Sequence, residues 1–366
     1  MDNIVFIVQQ LSQPRCIKRI ATLYNDSAIP IKVYGFDNGL YENNLKNIPF
    51  PIYEVINRDK TANKIKKVIF FVKVIRKILN ENKKTSVFYL FGFEIGVISY
   101  LLHCRNYIYE EADVSAARFK SKFIRNLLLW LDRRVINNSI FTVLTSGGFK
   151  NYIFENRKIK KNIILMPNKL SQYFKENDFE LDKTIGYSNI KFGFIGLIRY
   201  PNTIVRFAKI IGKFFPQHEF HFYGDVERKE YLDDEVKSYS NVFFHGSFVN
   251  PVDLAKVYSE IDINIVCYDT GSGNVNIAEP NKLYESIYFN TPIVVSKNTY
   301  LAERVKELGV GTSINASDDD EIISYVNSLH EGYYDNVLLN IKKIDKQTLI
   351  DNPNDLVSKV KEVVNI

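Results

Sequence analysis

Three cysteines in 366 residues, Cys16, Cys104 and Cys267, are too few and too scattered for a disulfide framework or a thiolate metal site. A reducing cytoplasm is the expected setting. No run of eighteen apolar residues exists, so no membrane-spanning helix is expected. The N-terminus, MDNIVFIVQQ, has neither the basic n-region nor the cleavage site of a secretory leader. Also missing are a Gly-x-Ser-x-Gly elbow, a Ser/His/Asp order and a P-loop, which leaves hydrolase and kinase readings without support. There is no internal repeat of 20–50 residues and no low-complexity tract.

What is present is ordinary globular material: 46% hydrophobic and 25% charged residues, in a length that argues for two domains. The net charge of +6 conceals an asymmetry. Residues 1–185 hold 30 Lys+Arg against 17 Asp+Glu, or +13, and residues 186–366 hold 18 against 25, or −7. A basic half points to an anionic partner: a membrane surface, a phosphorylated lipid or a nucleic acid. No nucleic-acid recognition motif accompanies the charge, so no nucleic-acid partner is expected.

Short apolar runs alternate with amphipathic helical stretches throughout. In the first half the runs are Ile4–Val8, Ile31–Tyr34, Val87–Phe91, Tyr107–Tyr109, Phe141–Leu144 and Ile163–Met166. A polar segment without strong period, 171–188, reads as a linker. A second series follows: Phe192–Ile195, Glu219–Tyr223, Val242–Phe244, Ile263–Cys267 and Ile293–Val295. Strands alternating with helices mean βαβ units and parallel sheets. The expected class is α/β, with two Rossmann-like domains, 1–170 and 189–345, facing a central cleft. Residues 346–366 are expected to form a helix crossing back to the first domain.

The segment 274–296, NVNIAEPNKLYESIYFNTPIVVS, is the most informative. A loop, Gly271-Ser272-Gly273-Asn274, runs towards Pro280, which can open a helix. Lys282 and Glu285 then share one helix face at i,i+3. Backbone N–H groups and a cation suit a diphosphate, and a carboxylate suits ribose hydroxyls. The alternative is a surface helix with a weak ion pair.

Four pieces in this order resemble the GT-B glycosyltransferases, and within them the GT4-like enzymes of bacterial polysaccharide synthesis. They are Phe194–Arg199 (FIGLIR), Asn241–Gly246 (NVFFHG), Leu254–Ile265 (LAKVYSEIDINI) and Pro280–Glu285 (PNKLYE) continuing to Thr291–Val295 (TPIVV). Met166-Pro167-Asn168 resembles the end of such a first domain. The resemblance implies a retaining transfer of sugar from a nucleoside diphosphate, UDP- or GDP-linked, with no cofactor and no essential metal. It implies a lipid-linked or oligosaccharide acceptor, made into a capsule or similar polysaccharide. Two departures stand out. The family pattern has two glutamates separated by seven residues, and Ile277 stands where the first would be, with Glu279 two residues later. Where many members have a glycine-rich first loop, this chain has Gln9–Arg15 (QQLSQPR).

Site residues follow. The resemblance gives Glu285 to the ribose and Lys282, beside Leu283, to the diphosphate; the alternative is an ordinary exposed helix. Arg199 follows the Gly196 turn at a strand's carboxyl end, where a guanidinium can hold phosphate oxygens; Arg206 is its rival, and a solvated loop arginine is the alternative. Gly271, Ser272, Gly273 and Asn274 would place N–H groups around the donor, or form a plain turn. Glu110, Glu111 and Asp113 cluster at a strand end, where Asp113 or Glu110 could take the acceptor's proton or orient the sugar; the alternative is a solvated acidic loop. Ser146 and the acidic triplet Asp318–Asp320 read as helix caps rather than as a phosphate or a metal site.

Residues 60–84 hold nine Lys/Arg and one acid, Glu81, interleaved with apolar side chains. Residues 118–134 repeat the style around Phe119, Phe123, Leu127 and Trp130. Basic amphipathic helices with aromatic residues suit an anionic membrane interface, which would put the protein at the inner face of the membrane. The alternative is that the apolar side is core and the basic side is merely solvated. The reading is a glycosyltransferase, with a sugar-nucleotide epimerase of the same fold or a non-catalytic scaffold subunit as alternatives.

Overall fold

A computed structural model describes residues 3–37, 48–57, 63–84, 86–155, 157–159, 161–177, 179–271 and 273–364. The chain divides into two compact units, Met1–Met166 with Asn352–Ile366, and Pro167–Asp351.

The first unit holds seven parallel strands: β1 (Asn3–Val8), β2 (Ile31–Asp37), β3 (Glu54–Asn57), β4 (Ser86–Phe91), β5 (Tyr107–Glu111), β6 (Thr142–Leu144) and β7 (Ile163–Leu165). Their order is β3-β2-β1-β4-β5-β6-β7. The second unit holds β8 (Lys191–Ile195), β9 (Glu219–Tyr223), β10 (Val242–Gly246), β11 (Ile263–Val266), β12 (Ile293–Ser296) and β13 (Gly311–Ile314), in the order β10-β9-β8-β11-β12-β13. The two orders are doubly wound. Each has one switch point, where successive crossovers leave in opposite directions: β1/β4 in the first unit and β8/β11 in the second. All five described residues of β5 are buried, as are five of the six in β1, which is what helices on both faces of a parallel sheet impose. Neither β3 nor β13 is among the sequence-predicted strands. Both are edge strands with little apolar sequence: β3 (EVIN) buries only Ile56 and β13 (GTSI) only Ile314.

The C-terminal helix Asn354–Val364 belongs to the first unit. Its Leu356, Val357, Val360 and Val364 share one core with Ile20 and Leu23 of the helix Pro14–Ser27. The segment 171–188, expected to be a linker, is instead part of the second unit. Phe174 is 2% exposed and packs on Tyr288 and Phe289. Leu181 accepts a hydrogen bond from Asn290 (2.8 Å), and Lys183 donates to the carbonyls of Tyr258 and Ile261. A few large side chains dock this segment, a signal that its polar average conceals.

Basic charge follows the units. The first has 29 Lys+Arg against 15 Asp+Glu, and the second 19 against 27. Among the described residues no helix is long and apolar enough to cross a membrane.

Candidate functional site

At the switch point of the second unit the backbone is drawn tight by glycine. Gly196 and Gly224 follow β8 and β9 with φ of 140° and 131°. A Cβ on Gly224 would lie 2.2 Å from the Gly196 carbonyl oxygen, so a side chain there would push the two strand ends apart. The Gly196 N–H donates to the Tyr223 carbonyl (2.8 Å), and the Gly224 N–H to that of Gly246 (2.7 Å). Lys282 lies beside this turn, its Cε 3.8 Å from where a Gly196 Cβ would stand. The structure therefore brings Gly196 and Lys282 together at a strand's carboxyl end.

The helix Asn281–Tyr288 is not the surface helix that its charges allowed. Every residue from Lys282 to Tyr288 is buried. Lys282 Nζ donates to Glu285 Oε2 (2.5 Å), and the two residues are 6% and 2% exposed. Tyr258 also donates to Oε2 (3.1 Å), and Asn281 to Oε1 (2.6 Å). Asn264 extends the network, donating to Tyr258 (3.2 Å) and Ser286 (2.8 Å). Burial and the Glu285 carboxylate hold the Tyr258 phenol well above its ordinary range. A carboxylate has about four acceptor positions; three donors here leave Glu285 about one. Leu283 is a core residue with no exposed side chain, and its N–H is taken by the Pro280 carbonyl (3.2 Å). Glu279, also buried, accepts from Tyr284 (2.6 Å) and pairs with Arg304 (3.4 Å).

The loop before this helix is only partly open backbone. Gly271 N–H is taken by the Asp269 carboxylate (2.9 Å), and Gly273 and Asn274 begin a five-residue helix, Gly273–Ile277. Ser272 lies outside the described residues. Arg199 sits about 41% exposed with Glu227 at 3.9 Å, a weak surface pair that leaves the guanidinium free to turn. Arg206 is tied to Asp319 at 2.7 Å. Asp318 caps the helix Asp319–Asn327 through the N–H groups of Asp320 and Glu321, and Ser146 caps its helix through Gly148. Sequence reasoning missed Tyr200 and Tyr268, which stack at 4.7 Å after β8 and β11. The only signal was one tyrosine shortly after each strand.

In the first unit a cavity of about 260 Å³ opens at the β1/β4 switch point, lined by Gln9, Gln13, Arg15, Glu110, Asp113 and Arg118 among others. Gly92, with φ of 96°, follows β4 beneath the Gln9 side chain, where a Cβ would lie 2.1 Å from Gln9 Oε1. The three carboxylates expected as one cluster separate into three environments. Asp113, 40% exposed, pairs with Arg15 (2.8 Å) and reaches Arg118 (3.9 Å). Glu110 is buried; it accepts from Arg19 Nε at 3.1 and 3.2 Å and from Tyr89 at 2.5 Å. Glu111 is fully buried against Asp132 of the helix Lys122–Asn138. Arg15, Arg19 and Tyr89 went unnoticed in the sequence, because each comes from an element remote from 110–113.

Glu111 and Asp132 are two carboxyls buried side by side, and burial disfavours the charge of each. Burial and the neighbouring carboxyl raise Glu111 well above the carboxylate range; burial raises Asp132 to about 6, against the pull of Glu111 and of the hydrogen bond that Tyr109 donates (3.2 Å).

No protein-family model matches the chain. Among curated proteins, the Succinoglycan biosynthesis protein ExoL of Rhizobium meliloti (strain 1021) is 21% identical over 180 residues, which is 48% of this chain and 44% of that protein. The match thus spans less than half of either. Solved structures resemble the chain over nearly its whole length. Anabaena Alr3699/HepE in complex with UDP-glucose gives a TM-score of 0.68 at 13% identity, covering 98% of this chain and 99% of that one. Sucrose-phosphate synthase (tll1590) from Thermosynechococcus elongatus gives 0.66 at 10% identity, covering 99% and 98%. UDP-GlcNAc 2-epimerase from Neisseria meningitidis bound to UDP-GlcNAc gives 0.63 at 13% identity, covering 99% of each. The fold is the two-domain, Rossmann-like GT-B fold that glycosyltransferases and these epimerases share.

Two outcomes are expected of this site. Glu285→Ala leaves the Lys282 ammonium buried and unpaired and lowers stability by about 3–5 kcal/mol, read as an earlier denaturant midpoint. The raised pair Glu111–Asp132 binds its proton more tightly folded than unfolded, so its stabilising contribution is full at acid pH and lost as pH rises through about 6. Asp132→Asn should flatten that decline, and melting temperatures recorded from pH 5 to pH 8 check it.

Proposed function

We propose that the chain is a glycosyltransferase. It takes a sugar from a nucleoside-diphosphate donor, UDP- or GDP-linked, held at the strand ends of the second unit. It passes that sugar, with retention and without an essential metal, to a lipid-linked or oligosaccharide acceptor on the first unit. The observation that carries this reading is Lys282 beside the Gly196 turn at the β8/β11 switch point, its ammonium fixed by a buried carboxylate. A cation anchored where the strand end has no Cβ suits diphosphate oxygens.

Lys282 and the half-exposed guanidinium of Arg199 would stabilise the charge that develops on the departing diphosphate. Glu285 first holds Lys282 in place, and its remaining acceptor position is what a ribose hydroxyl would use. Gly273 and Asn274 would flank the donor. In the first unit Asp113 is the carboxylate open to the cavity, between two arginines, and it would receive the acceptor's proton. Glu110, whose two oxygens are taken by Arg19 and Tyr89, would position the cavity wall. The succinoglycan protein's similarity supports a role in cell-surface polysaccharide synthesis.

An acceptor in a lipid surface agrees with the outer face of the first unit. The helices Lys64–Asn82, Phe93–Leu101 and Lys122–Asn138 are neighbours in that order. The first buries Ile75, Ile78 and Leu79 yet exposes Ile65 (72%), Val68 and Ile69; the third exposes Phe123 (79%), Leu127 and Trp130. These apolar groups stand among lysines and arginines, which suits anionic headgroups.

The epimerase reading keeps its place because the same fold serves that reaction. Calorimetry with UDP and GDP tests the donor site. One of them is expected to bind, and Arg199→Gln to weaken it by about tenfold or more, the scale of one lost charge-assisted contact. No binding of either would leave a scaffold; conversion of a donor sugar by the protein alone would make it an epimerase. Flotation with phosphatidylglycerol vesicles at low salt should carry the wild type and lose Phe123→Glu, whereas phosphatidylcholine vesicles should carry neither.

A further inference from the structure

Where the helix Lys122–Asn138 ends, next to the helix Gly147–Phe154, lies a second cavity of about 440 Å³. Among the described residues four cations line it, Arg133, Arg134, Arg157 and Lys158, together with Trp130 and Asn137, and no carboxylate does. Arg133 is anchored by its Nη1, which donates to the Ile153 carbonyl (2.9 Å). Arg134 lies over the Trp130 ring at 5.3 Å, a cation–π contact.

These charges face one another without an answer inside the cavity. Burial and the charge of Arg157 push the Arg133 guanidinium below its ordinary value, and Glu155 and Asp132 only partly oppose them. Asp132 is buried beside Glu111 and Tyr109, outside this lining. The negative end of a helix dipole favours cations only in the last turn, and Lys122–Asn138 has none there. It accounts neither for Arg133 and Arg134 nor for Arg157 and Lys158, which come from the chain beyond the next helix. Arginine's planar fork matches phosphate oxygens two at a time, and several cations around one cavity suit a dianion better than a carboxylate.

We propose that this cavity binds a phosphate group, carried either by a soluble phosphate ester or by a lipid headgroup. The site lies in the first unit, whereas the donor residues 196–285 lie in the second. It therefore stands or falls independently of the donor site. Its position next to exposed Trp130 and Leu127 makes both carriers accessible.

Trp130 is the only tryptophan of the chain, so its fluorescence reports on this cavity. Inorganic pyrophosphate, titrated at constant ionic strength, should give a saturable change that sodium chloride does not. The exposed pair Arg157→Gln/Lys158→Gln should weaken it by about tenfold or more. Vesicles of phosphatidic acid in phosphatidylcholine form the second arm. A shift with vesicles and none with pyrophosphate assigns a lipid phosphate, the reverse assigns a soluble one, and a response to both supports the site for either. The proposal is overturned if neither probe changes the emission, or if the response is undiminished in a double variant whose circular dichroism is native.

Discussion

A parallel sheet covered on both faces gives a ligand few places to approach. In each unit the central strands are buried along their length, and their backbone groups pair with neighbouring strands. What remains open is the row of carboxyl ends, and at the switch point the crossovers diverge there and leave a crevice. The 260 Å³ cavity of the first unit lies at β1/β4, and Lys282 lies at β8/β11. Glycine enforces the geometry in both: Gly92 lets the Gln9 side chain cross β4's end, and Gly224 lets β9 approach Gly196.

Within that frame, charge is handled differently in the two places. Around the first cavity the carboxylates are sorted by depth. Asp113 is half-exposed between arginines, Glu110 is held by Arg19 and Tyr89, and Glu111 is buried against Asp132, which raises its pKa. In the second unit one buried carboxylate, Glu285, gathers an ammonium, a phenol and an amide. Burial makes such a network expensive to leave incomplete. It fixes Lys282 to a small region, which is what a preorganised charge requires.

The strand pattern of both sheets was legible wherever strands are central, because full burial writes continuous apolar runs into β1, β4, β8 and β11. It failed at β3 and β13, edge strands whose letters, EVIN and GTSI, look like loop, whereas the edge strands β7 and β10 carry the apolar runs IIL and VFF and were legible. The segment 171–188 failed for a related reason: its average is polar, and Phe174, Leu181 and Lys183 do the docking singly. The loop at 271–274 looked like free backbone, yet a single carboxylate, Asp269, takes the Gly271 N–H. Of the first cavity, the sequence offered Glu110 and Asp113; their partners Arg15, Arg19 and Tyr89 come from a distant helix and strand.

By itself the sequence determined the α/β class, the paired series of βαβ units, the basic first half and the i,i+3 spacing of Lys282 and Glu285. These are local properties, set by residue type and period. Tertiary structure alone decided which charges are buried and which meet. It turned a helix that reads as solvent-facing into the core of the second unit. It parted three adjacent carboxylates into separate environments, and it set Arg133 and Arg134 against Arg157 and Lys158. Burial and long-range pairing depend on what packs against a residue, and no stretch of sequence around that residue carries this.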